Sequence, residues 1–291
     1  MKVLVKELSP VFKSFTFSVP VSKSLPLLLV TSLVSLSAQA KLTLSGEVIQ
    51  GGLIVGQATP GAVVKLNDKV LKVGKQGEFA FGFGRDDKSR YQLVVTNPDG
   101  TTEQKTLTPE TREYKIQRVN GIKKSIMKPN PKAVARAKKD SAQVRTARAT
   151  DSDLTYFADG FVAPIKGIVT GVYGSQRFYN GEPRTPHYGL DYAGDKGDPV
   201  KAPADGVVTL TVADMFYSGG TMIIDHGHGV SSTFLHLSDS YVKVGDKVKQ
   251  GDVVAAVGST GRSTGPHLDW RINWFNVRLD PALALKIQTN N

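Results

Sequence analysis

The chain has 291 residues, 40% of them hydrophobic, with 29 glycines and no cysteine. That is enough apolar material for about two globular domains, and it excludes both a disulfide framework and a cysteine nucleophile. The formal charge of +11 is concentrated, because residues 118 to 148 hold ten Lys/Arg against the single acid Asp140; one segment supplies +9 and the rest is nearly balanced.

In chain order, Lys2, Lys6, Lys13 and Lys23 precede an apolar run from Leu25 to Leu36 and the small-residue site Ala38-Gln39-Ala40. This predicts a secretory signal peptide, residues 1–40, cut after Ala40. The stretch between Lys23 and Lys41 is short of the roughly 20 apolar residues a membrane span needs, so the expectation is an exported, periplasmic protein with no transmembrane helix in the mature chain. Export also argues against a nucleic-acid partner for the basic segment.

Residues 41–117 alternate in short runs, AVVKL, EFAFGFG and YQLVV, separated by turn signals such as Asn67-Asp68 and Asn97-Pro98-Asp99-Gly100. The pattern predicts a small antiparallel β-sandwich of immunoglobulin-like length. Phe79, Phe81 and Phe83 share one face and read as its core. The region holds no histidine and nothing else suited to chemistry, so it is read as an accessory domain.

Residues 118–155 read as a basic linker, partly helical from Pro131 onward. Its apolar residues are mostly alanine, which predicts weak packing. Its charge serves solubility or attracts the anionic cell envelope, lipid headgroups or wall polymer.

Residues 156–287 contain a repeat: GDPVKAPADGVV at Gly197 is echoed by GDKVKQGDVVAAVG at Gly245, predicting an all-β body of duplicated hairpins. All five histidines fall here within 81 residues. His187 and Asp191 form H-x-x-x-D, His236 sits on a strand in STFLHLS, and His267 and Asp269 are two apart on a strand and so face the same way. His226 and His228, flanked by Gly227 and Gly229, read as histidines at the rim of a turn rather than ligands. No Ser-His-Asp arrangement competes, and the Gly258 to Gly265 loop lacks the lysine of a phosphate-binding loop.

Taken together, PHYGLD, VKAPADGVV, IIDHGHG, FLHLS, VKVGDKVKQGD and VGSTGRSTGPHLDW resemble the lysostaphin-type (LytM-domain) zinc endopeptidases that cut peptide cross-links of peptidoglycan. The resemblance runs over about residues 160 to 285. It implies one Zn²⁺ bound by His187 and Asp191, with His236 and His267 as catalytic residues that activate water. The family's third ligand is a histidine, and here that position is Asp269. Since Asp is itself a zinc ligand, the resemblance implies a metal set of His187, Asp191 and Asp269. A competing arrangement has His267 on the metal and Asp269 as an acceptor behind it. Two carboxylates on one ion predict a bound water acidified less than usual and a rate optimum at higher pH. The expected partner is peptidoglycan. The alternative function is a catalytically inactive LytM-fold protein that binds wall or regulates a hydrolase.

Overall fold

The computed structural model describes residues 42–121 and 130–287, all within one compact unit, Gln39–Asn291. The expected signal peptide lies outside the described residues. The fold is mainly β, as expected, and among the described residues no helix is long and apolar enough to cross a membrane.

The first part forms two sheets. Strands β1 (Thr43–Ser45), β2 (Leu53–Gln57) and β5 (Glu78–Gly82) lie in the order β1-β2-β5; β3 (Val63–Leu66), β4 (Lys69–Leu71), β6 (Tyr91–Thr96) and β7 (Thr102–Leu107) lie in the order β4-β3-β6-β7. All pairings are antiparallel. Phe79, Phe81 and Phe83 are fully buried, so the aromatic stripe is core. A short strand β8 (Ile116–Val119) follows.

The second part supplies β9 (Val169–Gly171), β10 (Gln176–Tyr179), β11 (Glu182–Pro183), β12 (Leu190–Ala193), β13 (Pro199–Lys201), β14 (Gly206–Met215) and β15 (Gly219–Gly227). It continues with β16 (Val230–Leu237), β17 (Asp239–Ser240), β18 (Lys247–Val248), β19 (Val253–Ala256), β20 (His267–Trp274) and β21 (Val277–Leu279). The large sheet runs β18-β14-β15-β16-β20-β12-β9, with β21 on β20, and a smaller one runs β13-β19-β17. In β20 the alternation is strict where it matters. Leu268, Trp270 and Ile272 are fully buried, which turns His267, Asp269 and Arg271 to the opposite face.

The sequence repeat becomes a structural exchange. β13 pairs with β19 and β14 with β18, so each copy's first strand hydrogen-bonds the other copy's second. The Gly-Asp dipeptides build one turn three times. The N–H groups of Asp195, Lys243 and Lys249 donate to the Oδ2 atoms of Asp198, Asp246 and Asp252. The preceding Gly197, Gly245 and Gly251 sit at φ of 101°, 94° and 91°, a region glycine enters without steric cost.

The two parts are hydrogen-bonded together. β8, which contains the expected domain boundary at Gln117, pairs in parallel with β10. Arg112 Nη1 donates to Asp280 Oδ2 at 2.8 Å, and a side chain at Gly82 would run into Leu279.

Helix α1 (Pro131–Arg148) starts on Asn130, whose side chain accepts the Lys132 N–H, and ends with Arg145 and Arg148 in its last turn, where the helix dipole favours cations. It was expected to pack weakly, and it docks on β14 and β15. Its anchors are polar rather than apolar. Arg136 pairs with Asp214 at 2.7 Å, Asp140 Oδ2 accepts the Phe216 N–H at 2.8 Å, and Ala147 and Arg148 are buried. The second helix, α2 (Pro281–Ala284), is one turn capped by Asp280.

Candidate metal centre

Strands β12 and β20 are antiparallel neighbours, and their register sets Asp191 directly opposite Asp269. Like charges in opposed positions destabilise a sheet unless a cation answers them. The structure makes room for both carboxylates: a Cβ at Gly171 would strike the Asp191 carboxylate, and one at Gly189 would strike Asp269.

His187 reaches this pair from the loop before β12. Its backbone is fixed on both sides, its N–H donating to Ser175 O and its carbonyl accepting from Gly174 N–H, each at 2.8 Å. Its ring Nδ1 lies 3.1 Å from Val172 O, which assigns the N–H to Nδ1 and leaves the Nε2 lone pair on the inner side. Nε2 is 3.0 Å from Asp191 Oδ1 and 3.6 Å from Asp269 Oδ2. Despite that proximity, His187 Nε2 and Asp191 Oδ1 are buried without a well-formed hydrogen bond. The ligand atoms of His187, Asp191 and Asp269 all lie within 4.8 Å of one another. One neutral imidazole nitrogen and two carboxylates converging on one buried point, two of the atoms unsatisfied, fit a divalent metal ion.

Burial pulls the His187 pKa down, but the two carboxylates of Asp191 and Asp269 beside Nε2 outweigh it and push it up to about 10; a divalent ion at the same point would take the place of that proton and leave the imidazole neutral. Burial likewise favours a neutral Asp269, and the Arg271 guanidinium, with His187, overrides it and holds the carboxyl far below its usual range. The contact is a fork. Arg271 Nε donates to Oδ1 at 2.9 Å and Nη2 to Oδ2 at 2.5 Å.

This pair changes the charge argument made from the sequence. His, Asp and Asp carry two negative charges, which would cancel a divalent ion. Arg271 returns one positive charge, so the net balance equals that of a two-histidine, one-aspartate set. A higher-pH optimum no longer follows from charge count alone. Asp269 accepts from Arg271 and not from His267, and the converging group is His187, Asp191 and Asp269 without His267.

His236 and His267 stand beside one another, ring centroids 4.8 Å apart. His236 Nδ1 is 2.8 Å from Thr260 O, and His267 Nδ1 is 2.9 Å from Gly265 O, with Ser263 Oγ at 3.2 Å. Each ring therefore keeps Nε2 clear of hydrogen bonds to the described residues. His236 sits at φ 63°, a left-handed backbone that a histidine adopts only where its surroundings impose it. Irregular pairing between β15 and β16 accompanies this, with a register shift between Gly220 and Met222, and such bulges re-aim side chains. Burial lowers the His236 pKa, which favours a neutral imidazole, the form that accepts a proton.

His226 and His228 behave otherwise, and not as rim histidines. His226 lies fully buried in β15, Nδ1 2.7 Å from Asp205 O and Nε2 2.8 Å from Ser232 Oγ. Both nitrogens are committed, and burial holds its pKa down at about 4. His228 is buried against Phe157, centroids 5.0 Å apart. Two of the five clustered histidines are thus core after all. Sequence reasoning passed over Arg271, although it lies two residues beyond Asp269 on the same strand face. It also passed over Gly171, whose need is visible only once the strands are paired.

A converging His/Asp group with two further histidines alongside supplies the residue types that metal-assisted hydrolysis uses. Residues 185–281 match the model of Peptidase family M23. A crystal structure from Pseudomonas aeruginosa assigned to peptidase M23 superposes with a TM-score of 0.63 at 27% identity, covering 82% of this chain and 96% of that one. The DD-carboxypeptidase/endopeptidase Mpg of Neisseria meningitidis is 46% identical over 89 residues, 30% of this chain and 20% of Mpg. The peptidoglycan DD-endopeptidase ShyA of Vibrio cholerae is 42% identical over 101 residues, 35% of this chain and 23% of ShyA. The chain thus matches about a fifth of the length of these curated relatives.

Proposed function

We propose that this protein is an exported zinc endopeptidase that hydrolyses peptide cross-links of peptidoglycan, acting in the periplasm. His187, Asp191 and Asp269 would hold a single Zn²⁺ ion, and His236 and His267 would be the catalytic histidines. The observation that carries the reading is the directly opposed Asp191 and Asp269 with the unsatisfied Nε2 of His187 between them. The names of ShyA and Mpg support the substrate class.

When bound, the zinc ion supplies a Lewis acid and a nucleophilic water at neutral pH. The chain's own residues do the remainder. Carbonyl acceptors at Nδ1 hold the two histidines so that Nε2 of each faces outward to take a proton or donate one to a developing oxyanion. The low His236 pKa suits the first role. Arg271 holds the Asp269 carboxylate in one orientation and keeps it ionised. Residues 41–117 would serve as an accessory domain, residues 118–155 as a basic connector, and the exposed lysines of α1 as an attraction for anionic envelope surfaces.

One observation favours the alternative, a non-catalytic wall-binding or regulatory protein: Asp269 is already engaged by a guanidinium fork. A single experiment separates the two. Purified protein incubated with sacculi should release muropeptides identifiable by mass, and chelator should stop release and lower the melting temperature. Sacculi bound but never cut, with zinc added in excess, would establish the non-catalytic role.

A further inference from the structure

Beneath α1 lies a cavity of about 410 Å³ walled by the helix, the β14–β15 turn, β16, the middle of β20 and β21. Four arginines line it: Arg145, Arg148, Arg271 and Arg278. The one carboxylate in its wall, Asp140, is occupied by the Phe216 N–H. Arg271 is neutralised by Asp269. The other three have no carboxylate partner among the described residues.

Arg148 is the informative member. It is 3% exposed, and its only hydrogen bond runs from Nη2 to Thr233 Oγ1 at 3.0 Å, leaving Nε buried and unsatisfied. Arginine does not shed its proton in proteins, and a buried unpaired charge is costly. Burial, then the neighbouring Arg278 and Arg271, press its pKa well down. Arg278 is also held low, at about 10, by burial and Arg271, and its guanidinium rests 5.5 Å from the Tyr188 ring centroid instead of on an acid. A chain that keeps a cationic pocket uncompensated beside its chemistry is built to receive an anion there.

The position identifies the anion's source. Thr233 is directly opposite Arg271, and Leu235 directly opposite Asp269. The cavity is therefore a continuation of the sheet face that carries the metal ligands, with Arg271 shared between them.

We infer that this cavity is a subsite for a carboxylate of the peptide substrate, with Arg148 and Arg278 as its recognition groups and α1 as its roof. The identity of the ligand as a substrate peptide rests on the peptidase reading; the existence of the anion site does not. Binding here would seat an acidic residue to one side of the cleavage point, and the basic helix would act on specificity rather than only on surface attraction.

The test is calorimetric titration of the full chain with N-acetyl-Ala-Glu, with N-acetyl-Ala-Gln amide as the uncharged counterpart and with inorganic phosphate. The acidic dipeptide should bind about tenfold or more tightly than the amide, the discrimination a charge-assisted fork provides. It should do so equally before and after chelator treatment. Arg148→Met should raise the ligand-free melting temperature, because it removes an uncompensated buried charge, and should abolish the preference for the acidic peptide. Arg278→Gln, less buried, should weaken that preference with the melting temperature little changed. Equal binding of acid and amide overturns the subsite, as does loss of binding on chelation, which would put the carboxylate at the metal. Phosphate binding as tightly as the dipeptide overturns the assignment to a peptide. Failure of the endopeptidase reading would appear separately, as uncut sacculi with dipeptide binding intact.

Discussion

The second part of the chain carries two sets of histidines, and the contrast between them defines the site better than residue type does. At one end His226 has a partner on each ring nitrogen, Asp205 O and Ser232 Oγ, and is sealed from solvent. At the other, His187, His236 and His267 each commit Nδ1 to a main-chain carbonyl, Val172, Thr260 or Gly265, and hold Nε2 for something else. His226 is finished by the fold, whereas His228 packs on Phe157 with a buried Nδ1 that has no hydrogen-bond partner. The second set is left deliberately incomplete, and the incompleteness is the functional signal.

The contrast breaks most sharply at the ligands. His187→Ala or Asp191→Ala should lower muropeptide release at least about a thousandfold and remove bound zinc, with circular dichroism unchanged. A variant that digests sacculi at the parental rate would remove the metal mechanism altogether.

Next in size is Asp269. Asp269→Asn leaves the partly buried Arg271 without its counter-charge and should cost about 3 kcal/mol of stability, a fall in melting temperature of roughly 6 to 12 °C for a chain of this size. Asp269→His alone should show the same surplus charge. Asp269→His with Arg271→Gln should recover the stability and bind zinc at least as tightly as the parent, read by competition with a metal indicator. If Asp269→Asn keeps full metal content and parental stability, the carboxylate contributes to neither.

The finished histidine sharpens the comparison from the other side. His226→Ala should destabilise by about 2 to 4 kcal/mol, through a small cavity and two unsatisfied partners, with unchanged cleavage per folded molecule. Its pH dependence has a fixed sign. The folded pKa of about 4 lies below the unfolded value of about 6.5, so the unfolded chain binds the proton more readily. His226 thus contributes stability in full above about pH 6.5, and the contribution drains away as pH falls toward 4. Thermal melts of the parent and of His226→Gln between pH 4.5 and 7.5 should show the flatter profile in the variant.

The smallest effect belongs to the helix anchor. Arg136 and Asp214 are both well exposed, and Arg136→Ala should change stability by less than about 1 kcal/mol, within a few degrees of the parental melting temperature. A larger loss would show that the exposed pair, rather than Asp140 and Arg148, holds α1 on the sheet.

Much of this was legible in the residues. Alternation in HLDWRINW gives the strand and the shared direction of His267 and Asp269, and the Gly-Asp repeats mark the turns that bring β13 and β18 onto the other copy's strands. H-x-x-x-D carries His187 and Asp191 to one point. What escaped depends on pairing across distant segments. A strand face predicts that Asp269 and Arg271 point the same way, but that the guanidinium closes on the carboxylate follows from burial. His226 looked like a histidine at the rim of a turn because nothing local announces Asp205 or Ser232 as its partners. The alanine-rich helix looked too weak to dock because its attachment is polar, and hydrogen bonds to Phe216 and Thr233 leave no trace in hydrophobic periodicity.

The parallel pairing of β8 with β10 bears on how the peptidase part can be handled. Cutting the chain at residue 156 would strip β10 of its partner and leave Gln176–Tyr179 as an open edge, since its other neighbour, β11, contributes only Glu182–Pro183. The same cut would take Arg112 from Asp280, the residue that caps α2. Unpaired strand edges recruit other chains. A trimmed enzyme made for activity assays should therefore self-associate, whereas one that begins ahead of β1 should stay dispersed.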